Sequence, residues 1–177
     1  MKGMAEWDLG LKGKVAAISG SSHGIGNAIA NSLADEGCNV VISGRDDDRL
    51  SLAEKDLTTK GVQALAVNCD LSTDSGCKKL IDQTIEKLGG LDILVNNAGI
   101  APHKTIEDTS VEEWDQIQDV NAKGVFLGTK YSIPEMRKAG GGSIINISSI
   151  AGLVGRPGGL CLLYTSPSPR DAPLSRM

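Results

Sequence analysis

The segment Gly20-Ser21-Ser22-His23-Gly24-Ile25-Gly26 constrains this chain most, because its three glycines separate an apolar run from a helical pattern. Val15-Ala16-Ala17-Ile18 reads as a buried strand, and Ile25, Ala28, Ile29 and Leu33 then recur at helical spacing. A strand that enters a helix through so short a connection must turn sharply, and Gly20 permits the positive φ which that turn needs. Gly24 and Gly26 let backbone approach a ligand and let the helix approach the sheet. The free N–H groups and positive dipole end of the helix then face an anion such as a pyrophosphate. Many plain turns are equally glycine-rich, so the segment alone leaves two readings, a dinucleotide phosphate cradle or a simple turn.

With 177 residues, 40% of them hydrophobic, the chain is long enough for one α/β domain with a proper core. A net charge of −4 provides no basic footprint, which argues against nucleic acid and anionic membranes as partners. No apolar run reaches the length of a membrane span, and residues 1–14 lack the hydrophobic centre of a signal peptide, so the expected location is the cytoplasm. Cys38, Cys69, Cys77 and Cys161 are scattered without a C-x-x-C pair, and the chain has two His. Neither a metal site nor a disulfide framework is expected, and the cysteines read as reduced structural thiols.

Strand and helix alternate along the chain. Residues 39–43 read as a second strand and 47–60 as a helix whose early Asp residues suit its positive end, with Gly61 stopping it. Residues 63–67 form the third strand. Ser72 is positioned to cap a helix running to Leu88, which Gly89-Gly90 ends. Residues 93–95 are the fourth strand. Ser110 and Glu113 make a capping box for a long helix carrying Trp114, Ile117, Val120 and Phe126, and residues 143–147 are the fifth strand. Short strands too apolar to have a wet face, alternating with helices, predict a parallel sheet covered on both sides.

Four motifs then fall in order: Ser19-Gly20 through Gly26, Asn96-Asn97-Ala98-Gly99, Asn121, and Asn146-Ile147-Ser148-Ser149. Together they resemble the short-chain dehydrogenase/reductase family in order and spacing, from Leu9 to about Leu160, with Ser19 where the family usually has Thr. The resemblance implies a doubly wound (Rossmann) parallel sheet with helices on both faces, truncated here after the fifth strand, and a dinucleotide lying across the carboxyl ends of the strands where their order reverses. It assigns cofactor contacts to Gly20, Ser21, Ser22, His23, Gly24, Ile25, Gly26, Asp70, Leu71, Asn97, Ala98 and Gly99. Asp70 either contacts the adenine or helps Ser72 cap a helix.

Members that prefer NAD carry an acid at the end of the second strand, whereas this chain has Gly44 followed by Arg45. An arginine fork fits a 2′-phosphate, so the comparison points to NADP(H), with NAD(H) as the alternative. Asp46, Asp47 and Asp48 could instead neutralise Arg45 and leave it an ordinary solvated charge. Ser149 matches the serine that hydrogen-bonds a substrate carbonyl, and Asn121 the asparagine that holds a water on the proton path. The implied substrate is a small carbonyl or alcohol, and the implied assembly of the full-length protein a homodimer or homotetramer.

Reduction of a carbonyl needs a proton, which the family takes from the tyrosine of Tyr-x-x-x-Lys. By spacing from Ser149 these residues belong at Leu162 and Ser166, and neither is present; Tyr164 is followed by Ser168 where its lysine should stand. Residues 161–177 hold Pro167, Pro169 and Pro173, which forbid a helix there. Residues 161–171 resemble the conceptual translation of a transposase-type sequencing adapter. The expectation is therefore a nucleotide-binding domain over residues 1–160, incomplete at its C-terminus, with 161–177 a non-native or disordered tail. Two functions stay open: an NADP-dependent carbonyl reductase or alcohol dehydrogenase that needs more chain, and a dinucleotide-binding protein or sensor without redox chemistry.

Overall fold

A computed structural model describes residues 8–102, 104–105 and 107–150. The positions Leu162, Tyr164, Ser166 and Ser168, the fourth cysteine Cys161 and the tail lie outside these residues. In chain order the elements are β1 (Val15–Ile18), α1 (Gly24–Asp35), β2 (Asn39–Gly44), α2 (Asp47–Thr58), β3 (Ala64–Asn68), α3 (Asp74–Leu88) and β4 (Ile93–Asn96). There follow α4 (Val111–Gln118), a π-helical turn (Asp119–Lys123), α5 (Gly124–Lys138) and β5 (Ser143–Asn146). The strands form one sheet in the order β3-β2-β1-β4-β5, with every pairing parallel. The order reverses beside β1, which is the arrangement expected from the sequence.

Alternation along each strand sorts the core into two layers. Ala16, Ile18, Val40, Ile42, Ile93 and Val95 point to one face, where Ala30 and Ala34 of α1 and Leu50, Ala53 and Leu57 of α2 cover them. Ala17, Val41 and Leu94 point to the other, against Leu80 and Ile81 of α3 and Met136 of α5. The central strands are therefore dry on both faces, which is why they carry no alternating polar residues.

Helix ends depart from the sequence reading in small ways with clear causes. The cap of α3 is Thr73, not Ser72: the Thr73 hydroxyl accepts from the Gly76 amide at 3.0 Å, while Ser72 turns its own amide and hydroxyl onto Asp70. On α1 the buried residues are Gly26, Ala30 and Ala34, whereas Ile25 is 67% exposed, because only small side chains let this helix lie close to the sheet. A Cβ at Gly26 would fall 2.5 Å from the Gly20 carbonyl oxygen. The capping box of Ser110 and Glu113 is present. The long helix it opens is interrupted by the π-turn, after which Phe126 emerges 62% exposed rather than joining the apolar stripe.

β5 pairs with β4 alone among the described residues. Ile145 stands beside Val95, on the face that α1 and α2 cover elsewhere, and is 45% exposed; Ile147 is 41% exposed. An apolar strand with one row of unpaired backbone groups is a template for pairing with another chain. The 177-residue chain is expected to self-associate in sedimentation velocity, and replacing both Ile145 and Ile147 with Lys to leave it monomeric. A wild-type chain that stays monomeric as its concentration rises would contradict this.

Candidate functional site

Three buried hydroxyls join the ends of β1, β2 and β4. Ser19 Oγ accepts from the amides of Asn97 and Ala98, each at 2.9 Å. Ser21 Oγ donates to the Ile18 carbonyl at 2.6 Å and accepts from the Ser43 amide at 2.9 Å. Ser43 Oγ donates to the same carbonyl and accepts from the Gly20 amide, both at 3.3 Å. The Asn97 amide closes the ring by donating to the carbonyls of Ser19 and Gly20 at 3.0 and 2.9 Å. These bonds hold the glycine loop against the loop that follows β4. Ser19 performs this task with the hydroxyl that threonine would supply, so the departure from the family pattern leaves the geometry intact. Ser21 is fully buried in the ring and does not line the cavity beside it, a correction to its expected contact with a ligand.

That cavity, of about 570 Å³, opens at the carboxyl ends of the strands where the sheet order reverses. Gly20, Ser22, His23, Gly24 and Ile25 form one wall. Gly44, Arg45, Asp46 and Arg49 form a second, with Asp70, Leu71, Asn97, Ala98 and Gly99 opposite. Gly26 lies buried beneath rather than in the wall. Gly20 and Gly24 both adopt φ of +62°, and nothing lies within 4 Å of where a Gly24 Cβ would sit, so the loop leaves open room above itself. α1 starts there with His23 as its extended N-cap and no side chain capping its first amides. Those amides and the helix dipole are what an anionic group would meet. Ser22 Oγ lies 3.2 Å from His23 Nδ1, which pins the imidazole at the rim.

The second wall carries the positive charge. Asp46 caps α2 by accepting from the Arg49 amide and pairs with Arg49 Nε at 3.2 Å, while Asp47 accepts from Asn68 Nδ2. Of the three acids that could have neutralised Arg45, Asp46 is thus paired with Arg49, whereas Asp47 keeps its charge under a hydrogen bond from a neutral amide. Gly44 carries no acid, and a Cβ built there would lie 3.0 Å from Ser22 Oγ. Asp70 accepts from Ser72 without taking part in the α3 cap, which Thr73 makes. Hydrogen bonds from the amide and hydroxyl of Ser72 hold its carboxyl below the usual carboxylate range, with the charge of Arg45 adding to them, and the residue still lines the cavity. Burial pushes the Cys69 and Cys77 thiols up to about 11, so both stay protonated and unreactive at neutral pH. No group of three His, Cys, Asp or Glu among the described residues could hold a metal ion.

Asn121 sits in the π-turn. Its Oδ1 accepts from the Ile100 amide and its Nδ2 donates to the Ile100 carbonyl, both at 2.8 Å, tying the loop after β4 to the helix. Ser149 follows β5, whose end is held to β4 by Asn96 Nδ2 donating to Asn146 Oδ1 at 2.8 Å and by the Ile147 amide donating to the Asn96 carbonyl. Neither Asn121 nor Ser149 lines the cavity; Ile100 and Val120, neighbours of the Asn121 tie, do. Sequence reasoning missed Ser19 and Ser43 as parts of the hydroxyl ring and Arg49 as a second cation in the wall. Arg49 carried a signal, standing three residues after a capping Asp, where a helical side chain reaches back to the first turn.

The comparisons with known proteins bear on the same residues. The chain matches the family described as short chain dehydrogenase over residues 14–166. It is 47% identical over 148 residues to the NADP-dependent (R)-specific alcohol dehydrogenase of Lentilactobacillus kefiri, covering 83% of this chain and 58% of that protein. It is 36% identical over 146 residues to a 3-oxoacyl-[acyl-carrier-protein] reductase of Staphylococcus aureus, covering 82% and 59%. Among solved structures, a metagenomic short-chain oxidoreductase in complex with NADP superposes with a TM-score of 0.83 at 34% identity, covering 88% of this chain and 71% of that one. The chain thus spans just under three-fifths of the length of these two curated relatives. With the glycine loop, the reversal of strand order and these matches all coinciding, the chain belongs to the short-chain dehydrogenase family.

Proposed function

We propose that this chain is the cofactor-binding portion of an NADP(H)-dependent oxidoreductase that interconverts a small carbonyl and an alcohol. The observation that carries the reading is the cavity at the strand-order reversal, with the uncapped start of α1 on one side and Arg45 beside an acid-free Gly44 on the other. The residues fit the group: the first amides of α1 carry no side-chain cap and would meet a pyrophosphate, and Asp46, paired with Arg49, leaves Arg45 in the cavity wall for a 2′-phosphate. An acid at position 44, which would favour a free 2′-hydroxyl, is disfavoured by its close contact with Ser22. The NADP named for the alcohol dehydrogenase relative and for the solved oxidoreductase points the same way.

In this reading the α1 amides and His23 hold the pyrophosphate end, Asp70 and Leu71 flank the adenine, and Asn97, Ala98 and Gly99 keep a thin wall beside the nicotinamide ribose. Bound NADPH supplies a hydride to the substrate carbonyl carbon. Ser149 donates a hydrogen bond to the carbonyl oxygen. Asn121 fastens the Ile100 loop, and its Nδ2 carries a second hydrogen for the water on the proton path. No residue of the chain stands where the family's Tyr-x-x-x-Lys is expected, so in this reading the chain as given lacks the proton donor, and turnover would belong to a full-length protein that carries it. That complete protein is proposed to work in the cytoplasm as a homo-oligomer. For this chain, no helix among the described residues is long and apolar enough to cross a membrane.

NADPH at about a hundredfold its Kd is expected to stabilise the chain by about 2.7 kcal/mol through linkage, and NADH at equal concentration by less. Differential scanning fluorimetry reads the difference, and Arg45→Ala should narrow it; an NADH preference in the wild type would overturn the NADP assignment. Fusing residues 1–160 to the C-terminal third of an active relative, with its tyrosine and lysine in register, should restore ketone-dependent oxidation of NADPH. The unmodified chain should fall at least about 10²- to 10⁴-fold below that fusion. Ser149→Ala in the fusion should abolish turnover while leaving NADPH binding unchanged. A fusion that folds and binds NADPH without turnover would favour the dinucleotide sensor instead.

A further inference from the structure

We infer that Arg49, latched by Asp46, is a second specificity-determining residue for the cofactor's 2′-phosphate, so that a pair of guanidinium groups rather than Arg45 alone selects the phosphorylated ribose. The inference rests on the NADP(H) reading of the cavity and adds a residue to it. Arg45 and Arg49 line the same wall, on either side of the start of α2. Side chains on a helix lean toward its N-terminus. The 3.2 Å contact from Arg49 Nε to Asp46 Oδ2 draws the guanidinium back over the first turn, toward the cavity that Arg45 also lines. With Nε committed to Asp46, the Nη groups are the part of the fork left for a phosphate.

Fold stability does not account for this arrangement. Both partners are about half exposed, and an exposed ion pair of this kind contributes about 0–1 kcal/mol. The cap on α2 is made by the Arg49 backbone amide and needs no arginine side chain. The charge pattern also needs explaining. Asp46 lies in the wall itself, where a bare carboxylate would repel a phosphate; the Arg49 side chain neutralises it and adds a donor fork of its own. Arg49 thus removes a repulsion and supplies an attraction at one place, and both vanish for a ligand that lacks the 2′-phosphate.

Isothermal titration of the full chain with 2′,5′-ADP and with 5′-AMP separates these effects, because the two probes differ only in that phosphate and neither requires turnover. Arg49→Gln is expected to weaken 2′,5′-ADP by about tenfold, and 5′-AMP by less than about twofold. Arg49→Lys, which keeps the charge and loses the fork, should fall between, and the wild-type preference should shrink as salt is raised. Adding Asp46→Asn to Arg49→Gln keeps an N-cap but removes the carboxylate. If that double variant regains wild-type affinity for 2′,5′-ADP, Arg49 acts only by masking Asp46 and its contact with the phosphate is refuted. Equal losses for both probes, or no loss in Arg49→Gln and Arg49→Lys, also overturn the inference. A wild-type chain without preference for 2′,5′-ADP overturns the NADP(H) reading and this inference together, whereas a preference that Arg45→Ala abolishes and Arg49→Gln does not touch overturns this inference alone.

Discussion

Everything at the carboxyl end of this sheet depends on the ring of hydrogen bonds that Ser19, Ser21, Ser43 and Asn97 make with the backbone of three strand ends. A glycine loop has little to hold it in one conformation, since glycine loses more chain entropy on ordering than any other residue. Here the loop's backbone groups find partners on β2 and on the loop after β4 within a region that water hardly reaches, where an unmade bond costs about 1–3 kcal/mol. Ser21 and Ser43 are fully buried and Ser19 nearly so, yet no buried side-chain nitrogen or oxygen among the described residues lacks a partner. The ring turns a flexible sequence into a rigid rim, and the cavity inherits its shape from it.

Close approach follows from the same rim. With the loop fixed, α1 can settle on the sheet only if its inward side chains are small, which Gly26, Ala30 and Ala34 satisfy. The helix start then aims its first amides at the space above Gly24. Around that space local hydrogen bonding fixes the acids in place without removing their charge: Ser72 donates to Asp70, the Arg49 amide to Asp46 and Asn68 to Asp47, and Asp46 is paired with the Arg49 side chain. In a chain of net charge −4 the cavity wall sets two guanidinium groups, Arg45 and Arg49, beside the carboxylates of Asp46 and Asp70.

The strands were legible because a parallel sheet buried on both faces demands uninterrupted apolar runs, and such runs stand out in residues 15–18, 39–43 and 93–95. The glycine rim of the cavity was legible because only glycine serves where backbone must approach closely. Other features were not. Whether Ser72 or Thr73 caps α3 turns on which hydroxyl Asp70 captures, a competition between neighbours that composition does not decide. The π-turn around Asn121 coincides with an amide that reaches Ile100, distant in sequence, and Phe126, six residues past Val120, falls off the apolar stripe. Ser21 looked like a ligand contact by position and is a buried strut, since three strand ends converge on it.

By itself the sequence determined the element order, the parallel sheet and the glycine-rich turn into α1, because periodicity, helix capping and glycine spacing are local quantities that a short window of residues specifies, while the reversal beside β1 was implied by the family resemblance. Only the tertiary structure decided which hydroxyls are struts and which residues form the wall. It also decided that Arg49 joins Arg45 in that wall, and that Asp46 is paired with Arg49. Those outcomes depend on partners brought from β1, β2, β3 and β4 to a single rim, and a hydrogen bond or a charge takes its effect from the groups within a few ångströms of it, wherever they lie in the chain.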